Sequence, residues 1–543
     1  MAVIRHVASS STSIACILSS SFVVALLVFG SVSSGYHYYN HTFTAYAAYT
    51  KATVASGGPT LNDPNLKVEA LIKGLAVPTS MAFLGPNDIL VLEKNTGTVL
   101  RLVNGEISKN PLLHVDVAQG VEYGMLGIAI AKNTNSDGSR NVFLYYTETD
   151  DGGSPRNHLY RYELTSDNSQ LLNPKLLLDL PAISSSTGEN NNHNGGKVLI
   201  GPDNNVYTVI GDVGGHQGQA QNVKNGDPLD GTSGIFRITQ DGQPVADNPL
   251  IGSTSDHSSG SKHRKGGVEG GSSSAFLNYY YAYGIRNSFG MDFDPVTGKL
   301  WDTENGPTFG DEINLVNPGF NSGWIKIQGS AHDANNGDGS PAKGLVAFGG
   351  KGIYRDPEFT WQPTIGPTAL KFLNSAKLSS QYQNNMFVGD VNTGNLYDFK
   401  LNPTRDGLLL SGTLADKVGD TLDELQGVIF GHGFGTITDL QVGPDGYLYV
   451  LTFAGNIYRI VPLHLTSDNG NSGNGGSEPE STSNTPSTSS TFNDNNIPSS
   501  SNNQQPTPNQ QHPQKTSNNE SNNNAGGVIG GIIPEHTPSR IIK

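Results

Sequence analysis

The sequence predicts an all-β chain whose folded part is a six-bladed β-propeller. Three observations point there. Short strands alternate with turns rich in Gly, Pro, Asn and Asp, and no long helical periodicity interrupts them. One plan recurs between residues 66 and 465: an apolar strand, an Asp/Asn/Gly turn, a second apolar strand, then a loop and a third strand. That region contains no cysteine, since the only one in the chain is Cys16, so packing and closure of the sheets must hold it together.

The units follow in order. The first spans 79–103 and turns at Gly85-Pro86-Asn87-Asp88; the second spans 124–164. The third, 193–238, contains the clearest hairpin: Gly201-Pro202-Asp203-Asn204 supplies the turn, and Val206-Tyr207-Thr208-Val209-Ile210 supplies a β-branched and aromatic strand. The fourth spans 283–316 and the fifth 366–401. The sixth, 433–461, repeats the turn as Gly443-Pro444-Asp445-Gly446. Residues 68–72 precede the first unit and are expected to supply the missing outer strand of the last blade, which closes the ring. A pair of β-sandwiches is the alternative, but it does not require a repeated turn.

The two ends differ in composition from this region and lower the hydrophobic share of the whole chain to 35%. Residues 1–34 hold an apolar run from Ile14 to Val32 with Arg5 on its N-terminal side, which reads as a secretory signal or an uncleaved membrane anchor. Either one implies an extracellular or cell-surface protein that meets a membrane only through this segment. Residues 35–65 are expected as a linker and 66–465 as the propeller domain. Residues 466–543 are expected as a low-complexity disordered tail, too poor in apolar side chains to offset its ordering entropy. Asn40-His41-Thr42 and Asn519-Glu520-Ser521 match the glycosylation pattern. A net charge of −15 argues against nucleic acid or anionic lipid as partners; it suits solubility or cation binding.

In a propeller, the residues that start each inner strand point toward one central site. His193, Glu122, Arg286, 366–368 and 435–438 occupy such positions. His193 also stands just before Gly195 and Gly196, which let a ligand approach the backbone closely.

Several motifs in fixed order resemble the glucose/sorbosone dehydrogenase family, also described as soluble quinoprotein glucose and aldose sugar dehydrogenases. They are Gly124-Met125-Leu126-Gly127, His193-Asn194-Gly195-Gly196, Gly211-Asp212 through Gln217, Gly284-Ile285-Arg286-Asn287, Glu304-Asn305-Gly306-Pro307 and Asp311-Glu312-Ile313-Asn314. The resemblance covers residues 66–465. It implies a six-bladed propeller that oxidises the C1 hydroxyl of an aldose with pyrroloquinoline quinone (PQQ) and Ca²⁺ and passes electrons to a further acceptor. His193 matches the catalytic base, a role suited to an imidazole that titrates near neutrality. Arg286 matches the arginine beside the reactive quinone carbonyl. Gln217 and Asn287 match polar cofactor contacts. Gly306 and Pro307 match the positions whose backbone carbonyls hold the calcium. Glu122 and Asn192 match substrate-side positions; Trp361 suits either a stacking contact with the sugar ring or core packing. Asp311 and Glu312 follow closely and suit either a second calcium site or a solvated acidic turn. Residues 333–338 carry a weaker calcium-loop pattern.

The chain departs from the family at the cofactor's carboxylates. Where glucose-oxidising members carry a lysine and two arginines, this sequence has Asn392, Thr436 and Thr438. Asn192 stands where those members place an aspartate beside the histidine. Lys197, His216 and His263-Arg264-Lys265 are the cations nearby in sequence that can compensate. Two other functions stay open: a non-enzymatic surface propeller that binds carbohydrate or protein, and an enzyme using another cofactor or a metal alone, such as a lyase or lactonase.

Overall fold

The computed structural model describes residues 57–463 except 151, 184–191, 216, 228, 254–275 and 332–343. The expected signal or anchor, most of the linker, the tail, both glycosylation motifs, His216, His263 to Lys265 and the 333–338 loop lie outside the described residues.

The described residues form six sheets. Sheet I holds Pro78–Gly85, Asp88–Glu93, Thr98–Val103 and Glu106–Ile107, with Leu113–His114 also paired to its third strand. Sheet II holds Met125–Thr134, Arg140–Thr149, Pro155–Leu164 and Leu171–Pro181. Sheet III begins with Val198–Ile200, Val206–Ile210, Gly234–Ile238 and Tyr280–Tyr283. Phe320–Asn321 and Ile353–Tyr354 then extend its outer edge in parallel. Sheet IV holds Ser288–Phe293, Leu300–Glu304, Asp311–Val316 and Phe359–Trp361, edged by Val418–Gly419. Sheet V holds Pro367–Phe372, Met386–Asp390, Leu396–Phe399 and Ile429–His432. Its last edge is Thr60–Leu61, inside the stretch expected as a linker.

Sheet VI shows the closure anticipated from the sequence. Its inner three strands are Ile437–Val442, Leu448–Thr452 and Asn456–Pro462, and the fourth is Leu66–Ile72 from the start of the domain. Leu66 opposes Pro462 and Ala70 opposes Tyr458. Each sheet's inner strands touch those of the next, and Ile437–Val442 touches Pro78–Gly85 to complete the circle. This is an all-β propeller.

The repeated turn explains why short segments so far apart adopt one shape. In sheet III, Gly201 N–H donates to Asn205 O (2.9 Å), and Asp203 Oδ1 accepts Asn205 N–H (3.2 Å). In sheet VI, Gly443 N–H donates to Tyr447 O (3.0 Å), and Asp445 Oδ1 accepts Tyr447 N–H (3.2 Å). Each aspartate then accepts a tyrosine hydroxyl and an arginine: Tyr207 and Arg237 in sheet III, Tyr449 and Arg459 in sheet VI. Between sheets the core is aliphatic and aromatic. Trp301, Trp361, Tyr397 and Phe399 form one such layer, all fully buried.

Candidate active site

His193 stands in the segment that leads into Val198–Ile200, the inner strand of sheet III. Its φ is 62°, in the left-handed region that a side chain disfavours, so its surroundings must impose it. Asn194 supplies the anchor. Its N–H donates to Glu122 Oε2 (2.9 Å), its Oδ1 accepts Asn157 Nδ2 (2.7 Å), and its carbonyl accepts the Tyr145 hydroxyl (3.0 Å). Gly211 lets the backbones converge: a Cβ there would lie 2.4 Å from Arg286 O and 2.7 Å from His193 O.

The imidazole Nδ1 hydrogen-bonds Asp212 Oδ1. Asp212 follows the second strand of sheet III and is 1% exposed. Its other oxygen accepts the indole N–H of Trp324 (2.8 Å), and its backbone N–H donates to Arg286 O (2.8 Å). Burial alone would raise this carboxyl. The His193 charge and hydrogen bond, helped by Arg286 and Trp324, outweigh burial and hold it below the usual carboxylate range. A neutral His193 bonded this way carries its proton on Nδ1 and leaves Nε2 as the acceptor.

Arg286 begins the approach to the inner strand of sheet IV. Its N–H donates to Glu304 Oε1 (2.7 Å), and Nη1 donates to Asn305 O (2.8 Å) and Gly306 O (3.3 Å). The guanidinium carbon lies 5.4 Å over the Trp324 ring. Asn287 Nδ2 faces both oxygens of Glu122 at 3.4 Å. Among the described residues, Arg286 Nε and Asn287 Oδ1 are buried without a hydrogen-bond partner. Behind them lie the carboxyls of Asp302, Glu304 and Glu312. All three are raised, chiefly by burial, and Ser322 Oγ bridges Glu304 and Glu312.

The fold therefore joins His193, Asn194, Asp212, Glu122, Arg286, Asn287, Asn305 and Gly306 in one network. The expected site residues fall in distinct surroundings. The carboxylate beside His193 is Asp212, not residue 192; Asn192 is half-buried, and its Oδ1 has no partner among the described residues. Trp361 is fully buried against Phe359 and Tyr397, so it is a core residue and cannot stack on a sugar. Glu122 ties the Asn194 backbone, while Gln217 is exposed on the loop after Asp212. Asp311 and Glu312 are not a solvated turn. They are buried in a strand, and Asp311 accepts the N–H groups of Gly306, Ile365 and Gly366. Lys197 is committed to Asp439 at 2.6 Å.

Asn392, Thr436 and Thr438 form a second group on sheets V and VI, all half-buried and neutral. Their side chains are loosely held, each at 3.4 Å from a backbone carbonyl: Thr364, Val391 and Leu451 respectively.

Sequence reasoning missed two residues. Trp324 reaches the site from the segment that crosses from sheet IV to the edge of sheet III. Lys94 follows the second strand of sheet I and is 6% exposed. Its ammonium donates to Gly120 O (2.7 Å), and burial, opposed by the Glu122 charge, brings it down to about 8. A lone Lys after one strand and a Trp after another carry no pattern; only the two-strand excursion to sheet III brings Trp324 in.

At the quinone end the fit to PQQ rests on two buried polar atoms without a partner among the described residues, the donor Arg286 Nε and the acceptor Asn287 Oδ1. At the carboxylate end the available donors, Asn392, Thr436 and Thr438, are neutral. Gly306 O, one of the two carbonyls implied for calcium, faces Arg286. No group of three or more His, Cys, Asp or Glu among the described residues is placed to hold a metal ion.

The chain resembles known proteins in sequence and in fold. The family description Glucose / Sorbosone dehydrogenase matches residues 75–267 and 270–459. The chain is 27% identical over 403 residues to the aldose sugar dehydrogenase YliI of Escherichia coli K12, covering 73% of this chain and 93% of that one. It is 26% identical over 467 residues to quinoprotein glucose dehydrogenase B of Acinetobacter calcoaceticus, covering 73% and 87%. In fold it is similar to the crystal structure of the soluble aldose sugar dehydrogenase of E. coli, with a TM-score of 0.54, 24% identity and coverage of 73% and 99%.

Proposed function

The chain belongs to the glucose/sorbosone dehydrogenase family, and we propose that it is an exported, PQQ-dependent aldose sugar dehydrogenase. The observation that carries this reading is the pairing of His193 with Asp212 beside Arg286, in a family whose named relatives are sugar dehydrogenases. We read the ring as six-bladed, supported by the six sheets.

When bound, PQQ would supply the two-electron acceptor for the hydride from C1. Arg286 and Asn287 would hold its quinone end, with Asn392, Thr436 and Thr438 at its carboxylates. Gly306 and Pro307 would offer carbonyls to calcium. His193 Nε2 would take the proton of the sugar's C1 hydroxyl, and Asp212 would stabilise the imidazolium that forms. Arg286 is the site's fixed positive charge, held in place by the carbonyls of Asn305 and Gly306. Asn194 and Gly211 fix the histidine backbone, so little reorganisation is needed as charge develops.

The three neutral residues at the carboxylate end favour a second reading, a surface propeller that kept the fold and lost the cofactor. A charge-assisted bond is worth about 1.5–3 kcal/mol, so three missing cations weaken cofactor binding by orders of magnitude unless neutral donors substitute. Titrating the purified protein with PQQ and Ca²⁺, followed by aldoses and a dye acceptor, separates the two. The enzyme reading expects binding and dye reduction, with His193→Ala binding PQQ but not turning over. No binding at tens of micromolar PQQ (roughly −6 to −7 kcal/mol) would leave the surface propeller.

A further inference from the structure

We propose that Trp324 is the positioning residue that holds the base–carboxylate pair and Arg286 in register. The inference deepens the dehydrogenase reading and rests on its assignment of His193. One indole meets two groups of opposite charge, each on the side its electrostatics favour. Its N–H edge donates to Asp212 Oδ2 at 2.8 Å, and its face lies under the Arg286 guanidinium at 5.4 Å. A carboxylate turns freely about its own bond. A fixed donor on Oδ2 sets its plane and leaves Oδ1 toward His193 Nδ1.

The indole is itself well placed to act as the reference point. The backbone N–H of Trp324 donates to Gly284 O (3.0 Å), and its backbone carbonyl accepts Asn222 Nδ2 (2.8 Å). Asn222 and Asn321 exchange amide hydrogen bonds at 2.8 and 2.9 Å beneath the turn. Gly284, with φ 74°, makes room for that pair, since a Cβ there would lie 2.3 Å from Asn321 Oδ1. The Trp324 backbone is thus tied to sheet III, which carries both His193 and Asp212. The groups facing the pair are Arg286 and, behind it, Glu304; neither donates a side-chain hydrogen bond to Asp212.

Two variants test this in the full chain without cofactor, by ¹⁵N NMR of the histidine rings, and then in turnover with PQQ and Ca²⁺. Wild-type His193 should show the single neutral tautomer protonated on Nδ1. Trp324→Phe keeps an aromatic face for Arg286 but loses the N–H, so it should mix the tautomers. It should also lower kcat about 10- to 100-fold, the range for groups that orient a catalytic residue, with KM within about twofold. Trp324→His restores a ring N–H and should recover part of the loss. A single unchanged tautomer in Trp324→Phe would overturn the proposal, as would Trp324→His behaving no better than Phe. If Trp324→Phe does not fold, Asp212→Asn replaces it: the Trp324 indole proton should then lose its downfield shift, and an unmoved resonance overturns the idea. Mixed tautomers in Trp324→Phe together with full turnover in His193→Ala would keep the positioning role and reject His193 as the base.

Discussion

Two histidines in this chain have the same 9% exposure and opposite chemistry. His193 places one ring nitrogen on Asp212, and its other nitrogen is the one proposed to take the sugar's proton. His158 uses both, with Nδ1 on Glu148 and Nε2 on Asp179 (3.0 Å), so nothing is left for catalysis. Burial alone would lower His158; the hydrogen bonds and charges of Asp179 and Glu148 outweigh it and push it up to about 9. Its folded value lies above its unfolded value of about 6.5, so its contribution is fully present below that pH and is lost as pH rises through about 9. His158→Gln should therefore destabilise the protein at pH 6, by on the order of 3 kcal/mol at most, and by much less at pH 10. Urea unfolding at the two pH values checks this, and an equal loss at both would mean the imidazolium charge is not what matters. Both residues carry the same letter in the sequence. Only the number of partners around the ring distinguishes the proposed base from a brace.

At the scale of the element, the repeat was legible because each unit carries its own turn chemistry. The Gly-Pro-Asp turns of sheets III and VI place an aspartate where it closes the turn and holds a tyrosine and an arginine of its own sheet. Asp203→Ala and Asp445→Ala should each cost about 1–2 kcal/mol, since each loses several hydrogen bonds at partly exposed positions. The two sites lie in sheets with no shared partners, so the double variant should equal the sum within about 0.5 kcal/mol. Thermal and urea unfolding of the three variants would show any coupling. The excursion 320–354 was not legible, because strands of two residues leave no periodic pattern. It extends the edge of sheet III and brings Trp324 to the site.

Across the whole molecule, the inner strands of sheets III and VI stand three places apart in the ring, and one ion pair spans the channel between them. Lys197 Nζ meets Asp439 Oδ1 at 2.6 Å, with both side chains buried. Asp439 also accepts Ser80 Oγ (3.1 Å) and Met81 N–H (2.9 Å) from sheet I, so three sheets converge on one carboxylate. Lys197→Met would leave that charge buried and unpaired, and should cost about 3 kcal/mol or more in urea unfolding. PQQ affinity should stay within about twofold, well under 1 kcal/mol, because the ammonium is already engaged. A tenfold loss of cofactor affinity at unchanged stability would restore Lys197 as the compensating cation.

The sequence by itself determined the all-β class, the repeated hairpins, the closing strand at 68–72, the family and the identity of His193 and Arg286 as neighbours. These are read from turn residues and short motifs, whose physics is local: a Gly-Pro-Asp turn closes on residues two to four positions away. Tertiary structure alone decided what surrounds those motifs. It supplied Asp212 rather than residue 192 as the carboxylate on His193, buried Trp361 in the core, committed Lys197 to Asp439 and brought Trp324 in on the edge of sheet III. Each of those outcomes depends on contacts between strands or between sheets, where distance along the chain carries little information and burial decides which polar groups must find partners.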